Sequence, residues 1–142
     1  YKYIRRDYVN DVDNLEYYKV LVPQANGNGT FGEPISQSVI EEPDVGNTET
    51  FISIGKFETK QEAIDAGKYI STKFARTLLS ILKVTQNGNK PVWKMIPLQD
   101  FTPSSDIDWS KSVHEIDLQL YRKYGLDEDE INFIETHVKE MT

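Results

Sequence analysis

The 142-residue sequence predicts an α+β fold: a small mixed or antiparallel sheet packed on one long helix, with two carboxy-terminal helices. Three observations predict it. Short apolar runs bounded by turn residues fill the first part of the chain, a helical repeat of apolar residues follows, and two capped helical repeats close the sequence. Hydrophobic residues make up 38% and charged residues 27% of the chain, which is typical of a folded domain rather than a disordered segment.

The predicted strands are short and separated by turn residues. Residues 18–23 (YKVLVP) form an apolar run that ends in the Asn-Gly pairs of residues 24–29. Residues 35–40 are a second candidate, and residues 49–54 (ETFISI) are a third because they alternate and contain β-branched and aromatic side chains. Residues 92–98 (VWKMIPL) are a further strand candidate.

The long helix is predicted from its cap and its period. Thr59 and Glu62 have the spacing of a capping box, in which each residue satisfies a free N–H group of the other. Apolar residues then keep a helical spacing to about Lys83, and residues 87–89 (NGN) end the helix.

Two helices are predicted at the carboxy terminus. Ser110 is expected to cap a helix over residues 111–124, and Gly125 suits the left-handed position after its end. Asp127 is expected to cap a last helix over residues 128–140. The acidic residues of its first turn interact favourably with the helix dipole.

The charge is unevenly distributed along the chain. A net charge of -7 argues against nucleic-acid binding, which depends on Lys and Arg. However, residues 106–142 hold 10 acidic and 4 basic residues, whereas residues 66–99 hold six basic and no acidic residues. We call residues 66–99 the acid-free segment. We predict three parts: a lead-in (1–16), an α/β core (17–105) and an acidic two-helix segment (106–142).

Several classes of protein are excluded or disfavoured. The sequence has no cysteine, which excludes disulfides, thiol catalysis and cysteine-ligated zinc. It also has no apolar run of transmembrane length and no signal-peptide pattern, so no membrane is expected as a partner. Because the chain begins at Tyr1 rather than Met, we expect it to be part of a longer polypeptide.

Two motifs of enzymes and nucleotide-binding proteins are present in loose form. Pro43-Asp44 and residues 58–60 (ETK) match the PD…ExK pattern of metal-dependent nucleases, which needs its Glu and Lys on one strand. Thr59 is predicted to be a helix cap, which favours a structural role. Residues 26–32 are rich in Gly but lack the Lys-Ser/Thr pair of a phosphate loop.

A basic stripe is predicted on the long helix. Residues spaced by four and three positions share one flank of a helix, and here they are Tyr69, Lys73, Arg76, Ser80 and Lys83. Without acidic neighbours, such a stripe is suited to contact with phosphates. Alternatively, it is an ordinary basic face or pairs with the acidic carboxy-terminal segment.

A chain of ordered motifs resembles one protein family. These motifs are residues 18–27 (YKVLVPQANG), 48–50, 57–63, 68–76, 83–86, 96–101 (IPLQDF), 106–109 (DIDW), 116–121 and 124–126. Together they resemble the carboxy-terminal target-recognition region of adenine-specific DNA methylases of type II restriction-modification systems, some of which are fused to an endonuclease.

The resemblance implies sequence-specific recognition of double-stranded DNA by a domain that is non-catalytic in isolation. It also implies a separate amino-terminal methyltransferase domain as partner, S-adenosylmethionine as the cofactor of that domain, and a bacterial-type cytoplasmic location. The catalytic tetrapeptide of such methylases is absent here, and no cofactor or metal is expected in this segment.

The predicted DNA-binding residues form two groups. Cations would contact phosphates, and amides beside turns would reach base edges, where Asn and Gln pair with adenine. The cations are Lys19, Lys73, Arg76 and Lys83, and the amides are Gln24, Asn26, Asn28 and Gln86. The alternatives are a PD…ExK nuclease fragment and a protein-interaction module whose acidic tail docks onto the parent methyltransferase.

Overall fold

The computed structural model describes residues 2–6, 13–24, 30–85 and 90–141. Three antiparallel strands form its sheet: β1 (Tyr18–Pro23), β2 (Val39–Glu41) and β3 (Phe51–Phe57). Their order is β2-β1-β3, so β1 is central, and its Val20 faces both Ile40 and Ile54 across the sheet. The predicted α+β class with a small antiparallel sheet is confirmed.

The chain then forms a helical pair, α1 (Lys60–Ser71) and α2 (Lys73–Thr85), followed by a short helix, α3 (Lys90–Lys94). The Thr59–Glu62 capping box of α1 is present as predicted. The strand prediction for residues 92–98 is wrong because this segment begins inside α3 and continues as a loop. Pro91 suits the first turn of a helix, where its missing N–H has no intrahelical acceptor to lose.

The predicted long helix is divided at Thr72, which has an extended backbone with φ -63° and ψ 151°. All four free N–H groups at the start of α2 find acceptors. The N–H groups of Lys73 and Phe74 donate to the Asp117 carboxylate at 3.0 and 2.9 Å. The Ala75 N–H donates to the Thr72 hydroxyl, and the N–H of Thr72 itself donates to the Tyr69 carbonyl. The break is therefore stabilised by a residue 44 positions away in sequence.

Two helices close the chain, α4 (Val113–Lys123) and α5 (Glu128–His137). Ser112 rather than Ser110 caps α4, because the carboxylate that completes its capping box is Glu115. Asp127 caps α5 as predicted, together with Glu130.

One buried cluster joins these elements. Helix α1 packs against the sheet, while α4 contacts both α1 and α2, and α5 contacts α2. The sheet, the helices α1 to α5 and the loop before α4 all contribute buried side chains to this cluster. They include Val20, Val22, Ala66, Phe74, Val92, Trp109, Ile116, Leu120 and Ile134. No helix in the described part of the chain is long and apolar enough to cross a membrane.

The segment before Ile35 is held against the end of α5 by Gly32. The Gly32 N–H donates to Ser80 Oγ at 3.0 Å, and its carbonyl accepts the Lys139 N–H at 3.3 Å. Gly32 has φ +69°, and an added Cβ would lie 2.8 Å from the His137 carbonyl oxygen and 2.8 Å from Val138 Cγ2.

Gly32→Ala is therefore expected to lower the free energy of unfolding more than Gly125→Ala. Gly125 has φ +65°, but nothing lies within 4 Å of its added Cβ. Gly125→Ala therefore costs only the strain of a left-handed backbone at a non-glycine residue, about 1–2 kcal/mol. Gly32→Ala has the same strain and also a steric clash with the end of α5. Urea unfolding of both variants measures the difference, and equal losses would contradict the described contact.

Candidate nucleic-acid interface

The first cation of the predicted stripe, Lys73, is not presented to solvent. Its side chain is 9% exposed, and its Nζ lies 2.6 Å from Glu135 Oε2 on α5. Glu135 is itself 27% exposed and also accepts a hydrogen bond of 2.8 Å from the Tyr121 hydroxyl on α4. The ion pair therefore ties α2 to both carboxy-terminal helices.

Arg76 is buried more completely, with 1% of its surface exposed. Its guanidinium donates only to backbone carbonyls: Nε to Ser71 at 3.2 Å, Nη1 to Gly32 at 3.3 Å and Glu33 at 3.4 Å, and Nη2 to Lys139. Burial lowers the pKa of Arg76, and nearby Asp117 opposes that shift. The prediction that Lys73 and Arg76 form an exposed stripe is wrong, because α4, α5 and the segment around Gly32 cover this face.

Asp117 of α4 satisfies the start of α2. It is 1% exposed, and each carboxylate oxygen accepts one backbone N–H group. Burial raises the pKa of Asp117 to about 6, while the N–H groups of Phe74 and Lys73 act in the opposite direction. Glu135 adds to the rise and Arg76 reduces it.

The pKa values of two neighbouring side chains, Tyr121 and Glu135, are shifted in opposite directions. Burial raises the pKa of Tyr121 above its usual range, and the charges of Asp117 and Glu135 add to that effect. Burial also acts to raise the pKa of Glu135, but hydrogen bonds from Lys73 and Tyr121 hold it below its ordinary value. Glu135 is therefore ionised at neutral pH and suited to neutralise Lys73.

Lys19 also has an internal role. It is 1% exposed, and its Nζ donates to the carbonyls of Leu15, Tyr17 and Glu42 at 3.4, 3.2 and 3.1 Å. Burial lowers the pKa of Lys19, whereas Glu41 raises it. The three ammonium protons have carbonyl acceptors, so the prediction of Lys19 as a phosphate contact is also corrected: the side chain anchors two loops beside β1.

Other predicted residues remain in contact with solvent. Lys83 is half-buried in the last turn of α2, and Gln24 is exposed directly after β1. Gln86, Asn26 and Asn28 lie outside the described residues. Lys94, which was not among the predicted site residues, is exposed at the end of α3. Within the described part of the chain, neither Lys83 nor Lys94 forms an ion pair.

Sequence reasoning missed the acidic partners of the buried cations. Asp117 has a detectable signal, because it lies among the apolar positions of the α4 repeat with Ile116 and Leu120. A carboxylate at such a position must find internal donors. Glu135 has no comparable signal, since it is one of several acidic residues in α5.

The PD…ExK residues are not arranged as a nuclease requires. Glu58 follows β3, Thr59 caps α1, and Lys60 is the first residue of that helix, so Glu58 and Lys60 do not share a strand. Lys60 Nζ instead lies 3.8 Å from Glu42 Oε1. Among the residues that the structure describes, no group of three or more His, Cys, Asp or Glu side chains could hold a metal ion.

An open cavity of about 400 Å³ lies at the start of α4, lined in part by Lys68, Lys111, Ser112 and His114. Two of its donors already have partners inside the domain. Lys68 Nζ donates to the Trp109 carbonyl at 2.8 Å, and Ser112 forms the capping box of α4.

No protein-family model, curated protein or solved structure matches this chain. The candidate interface therefore depends on its own geometry and charge.

Asp117→Asn is expected to remove a pH dependence of stability. Because the folded-state pKa is about 6 and the unfolded value is about 3.9, the stabilising contribution is full below pH ~4 and is lost as pH rises through 6. From pH 4 to pH 7, wild type should lose about 2–3 kcal/mol of unfolding free energy relative to the variant.

Urea unfolding at several pH values measures this difference. Asp117→Asn is also expected to lower the free energy of unfolding by about 1–3 kcal/mol at every pH. The reason is that the Asn amide nitrogen cannot accept a hydrogen bond, so one backbone N–H at the start of α2 loses its acceptor. Exposed Asp129→Asn is the control and should leave the pH dependence unchanged. If wild type instead gained stability relative to the variant as pH rises, the two backbone N–H bonds would lower the pKa of Asp117 by more than burial raises it.

Proposed function

We propose that this chain is a sequence-specific DNA-recognition domain of a type II restriction-modification enzyme and is non-catalytic by itself. The observation that carries the proposal is the acid-free segment and its remaining cations. Six basic residues and no acidic residue occur over positions 66–99, and Lys83 and Lys94 keep solvent contact without an ion pair in the described part of the chain. Unpaired cations in a segment without acidic residues suit phosphate contact.

The proposed contacts differ from a stripe along the whole helix. Lys83 lies in the last turn of α2 and Lys94 is the last residue of α3, so the two cations belong to different helices. In our proposal these cations position the duplex backbone, and Gln24 and Gln86 are candidates for base contacts. A bidentate amide–adenine pair discriminates by about 1–3 kcal/mol.

The catalytic function is assigned to another part of the parent enzyme. We propose that a methyltransferase domain binds S-adenosylmethionine and modifies an adenine, while this domain places the target sequence. Affinity of the domain alone is expected to be weak and salt-sensitive, because the net charge of -7 opposes approach to DNA.

A second candidate function is docking onto that methyltransferase domain. The same acid-free segment exposes three apolar side chains, Ile81 at 52%, Met95 at 54% and Leu98 at 90%. In this second proposal the three side chains form one contiguous apolar patch, as is typical of protein interfaces. Leu98→Ser would then weaken binding to the methyltransferase domain and leave binding to a DNA duplex unchanged. Under this second proposal, Lys83→Glu and Lys94→Glu would not change binding to the methyltransferase domain.

Lys83→Glu combined with Lys94→Glu is expected to weaken binding to random-sequence duplex DNA. Each lost phosphate contact should reduce the slope of log affinity against log salt concentration by about 1. Lys111→Glu with Lys139→Glu is the matched control, because both lysines are exposed, lie outside the acid-free segment and give the same change in net charge.

Fluorescence anisotropy at several salt concentrations measures both double variants. Equal weakening by the two pairs would indicate a general effect of charge and would argue against the proposed face. Wild-type protein that binds no duplex, alone or fused to its methyltransferase domain, would sink the DNA-recognition proposal.

A further inference from the structure

Helix α5 brings one acidic side chain, Glu135, onto the face of α2 that carries Lys73. Residues 127–142 contain six acidic residues and one basic residue. Glu135 of α5 is paired with Lys73 at 2.6 Å, and the carbonyl of Lys139 just beyond the helix accepts a hydrogen bond from Arg76. The Glu135 carboxylate thus forms with Lys73 the kind of charge-assisted hydrogen bond that a phosphate oxygen would form.

Helix α5 contributes one fully buried apolar side chain to the core, Ile134 at 5% exposure, and Val138 directly after the helix is 3% exposed. Ile131 packs partly buried against the same cluster, and Phe133, which is 47% exposed, meets Phe31 edge-to-face with ring centroids 5.6 Å apart. Most of the buried cluster comes from the sheet, α1, α2 and α4. Because most of the buried apolar surface lies outside α5, its release is expected to cost less than unfolding of the whole domain.

Release of α5 would change the charge of this face. It would leave Lys73 without its ion-pair partner and move the acidic residues of α5 away from α2. Arg76 would lose its bond to the Lys139 carbonyl and keep those to Ser71, Gly32 and Glu33, which lie outside residues 127–142. The site gains one cation and loses a local negative field, and both changes favour a polyanion.

We propose that α5 is a reversibly docked acidic cover that competes with DNA for Lys73. This inference rests on the proposed DNA-binding function. A duplex that binds only the uncovered form selects that form, so the apparent affinity is reduced by the fraction of molecules in which α5 is released. The cover would keep the domain from binding DNA until the correct site and the other enzyme domain supply enough binding free energy.

The test uses Glu135→Gln in the full chain, with Glu128→Gln as the matched control. Both changes remove one negative charge from α5, but Glu128 is exposed at the start of the helix and Glu135 is paired with Lys73. Loss of a charge-assisted bond should raise amide hydrogen exchange in α5 about 10-fold or more, without a similar rise in β1. Affinity for a random-sequence duplex should rise by up to the same factor.

Ile134→Ala provides a second, uncharged way to loosen the cover. It removes an apolar contact of α5 and leaves every charge in place, so an increase in DNA affinity cannot come from altered net charge. Exchange in β1 reports whether the change has loosened the whole domain instead.

The outcomes separate this inference from the function on which it rests. Equal effects of the Glu135 and Glu128 variants would overturn the cover, because charge alone would explain them. Wild-type DNA binding that neither Glu135→Gln nor Ile134→Ala strengthens would also overturn it and leave the DNA-binding function standing. Opening of α5 without DNA binding by wild type or either variant would overturn both the DNA-binding function and the competition.

Discussion

The Asp117 carboxylate at the start of α2 is the interaction on which the rest of the structure depends. Helix α1 ends at Ser71, and α2 begins at Lys73 directly after the extended, buried Thr72, so the first N–H groups of α2 are inside the domain. An unsatisfied buried donor costs about 1–3 kcal/mol, and Asp117 satisfies two of them. Because Asp117 is on α4, the same bonds fix α4 against the break.

This arrangement explains why basic residues near the break are internal. Arg76 lies one turn into α2, close to Asp117, and its other neighbours are carbonyl groups of the loops and of the carboxy-terminal tail. Lys73 reaches Glu135, which Tyr121 holds from α4. Removing either member of such a pair leaves a buried charge, so these residues have coupled roles in stability. Cations further along, Lys83 and Lys94, are outside this network.

Local signals in the sequence were sufficient for several elements. The capping boxes at Thr59 and Asp127 were predicted correctly, because the paired residues are three positions apart and need no distant partner. The strand at residues 18–23 was also correct, since its apolar run ends at a clear turn. By contrast, the strand predicted at residues 92–98 was wrong: a short apolar run has no period that separates a strand from a buried helical turn.

The sequence by itself determined the α+β class, the positions of most helices and strands, and the separation of an acid-free segment from an acidic carboxy terminus. Each of these properties depends on residues close together in the chain. Tertiary structure decided where the long helix breaks and which cations meet solvent. Spacing placed Lys73, Arg76 and Lys83 on one stripe, but the covering of a helix face depends on α4 and α5, which are distant in sequence. Burial and pairing of charge are long-range properties, and helical period alone cannot report them.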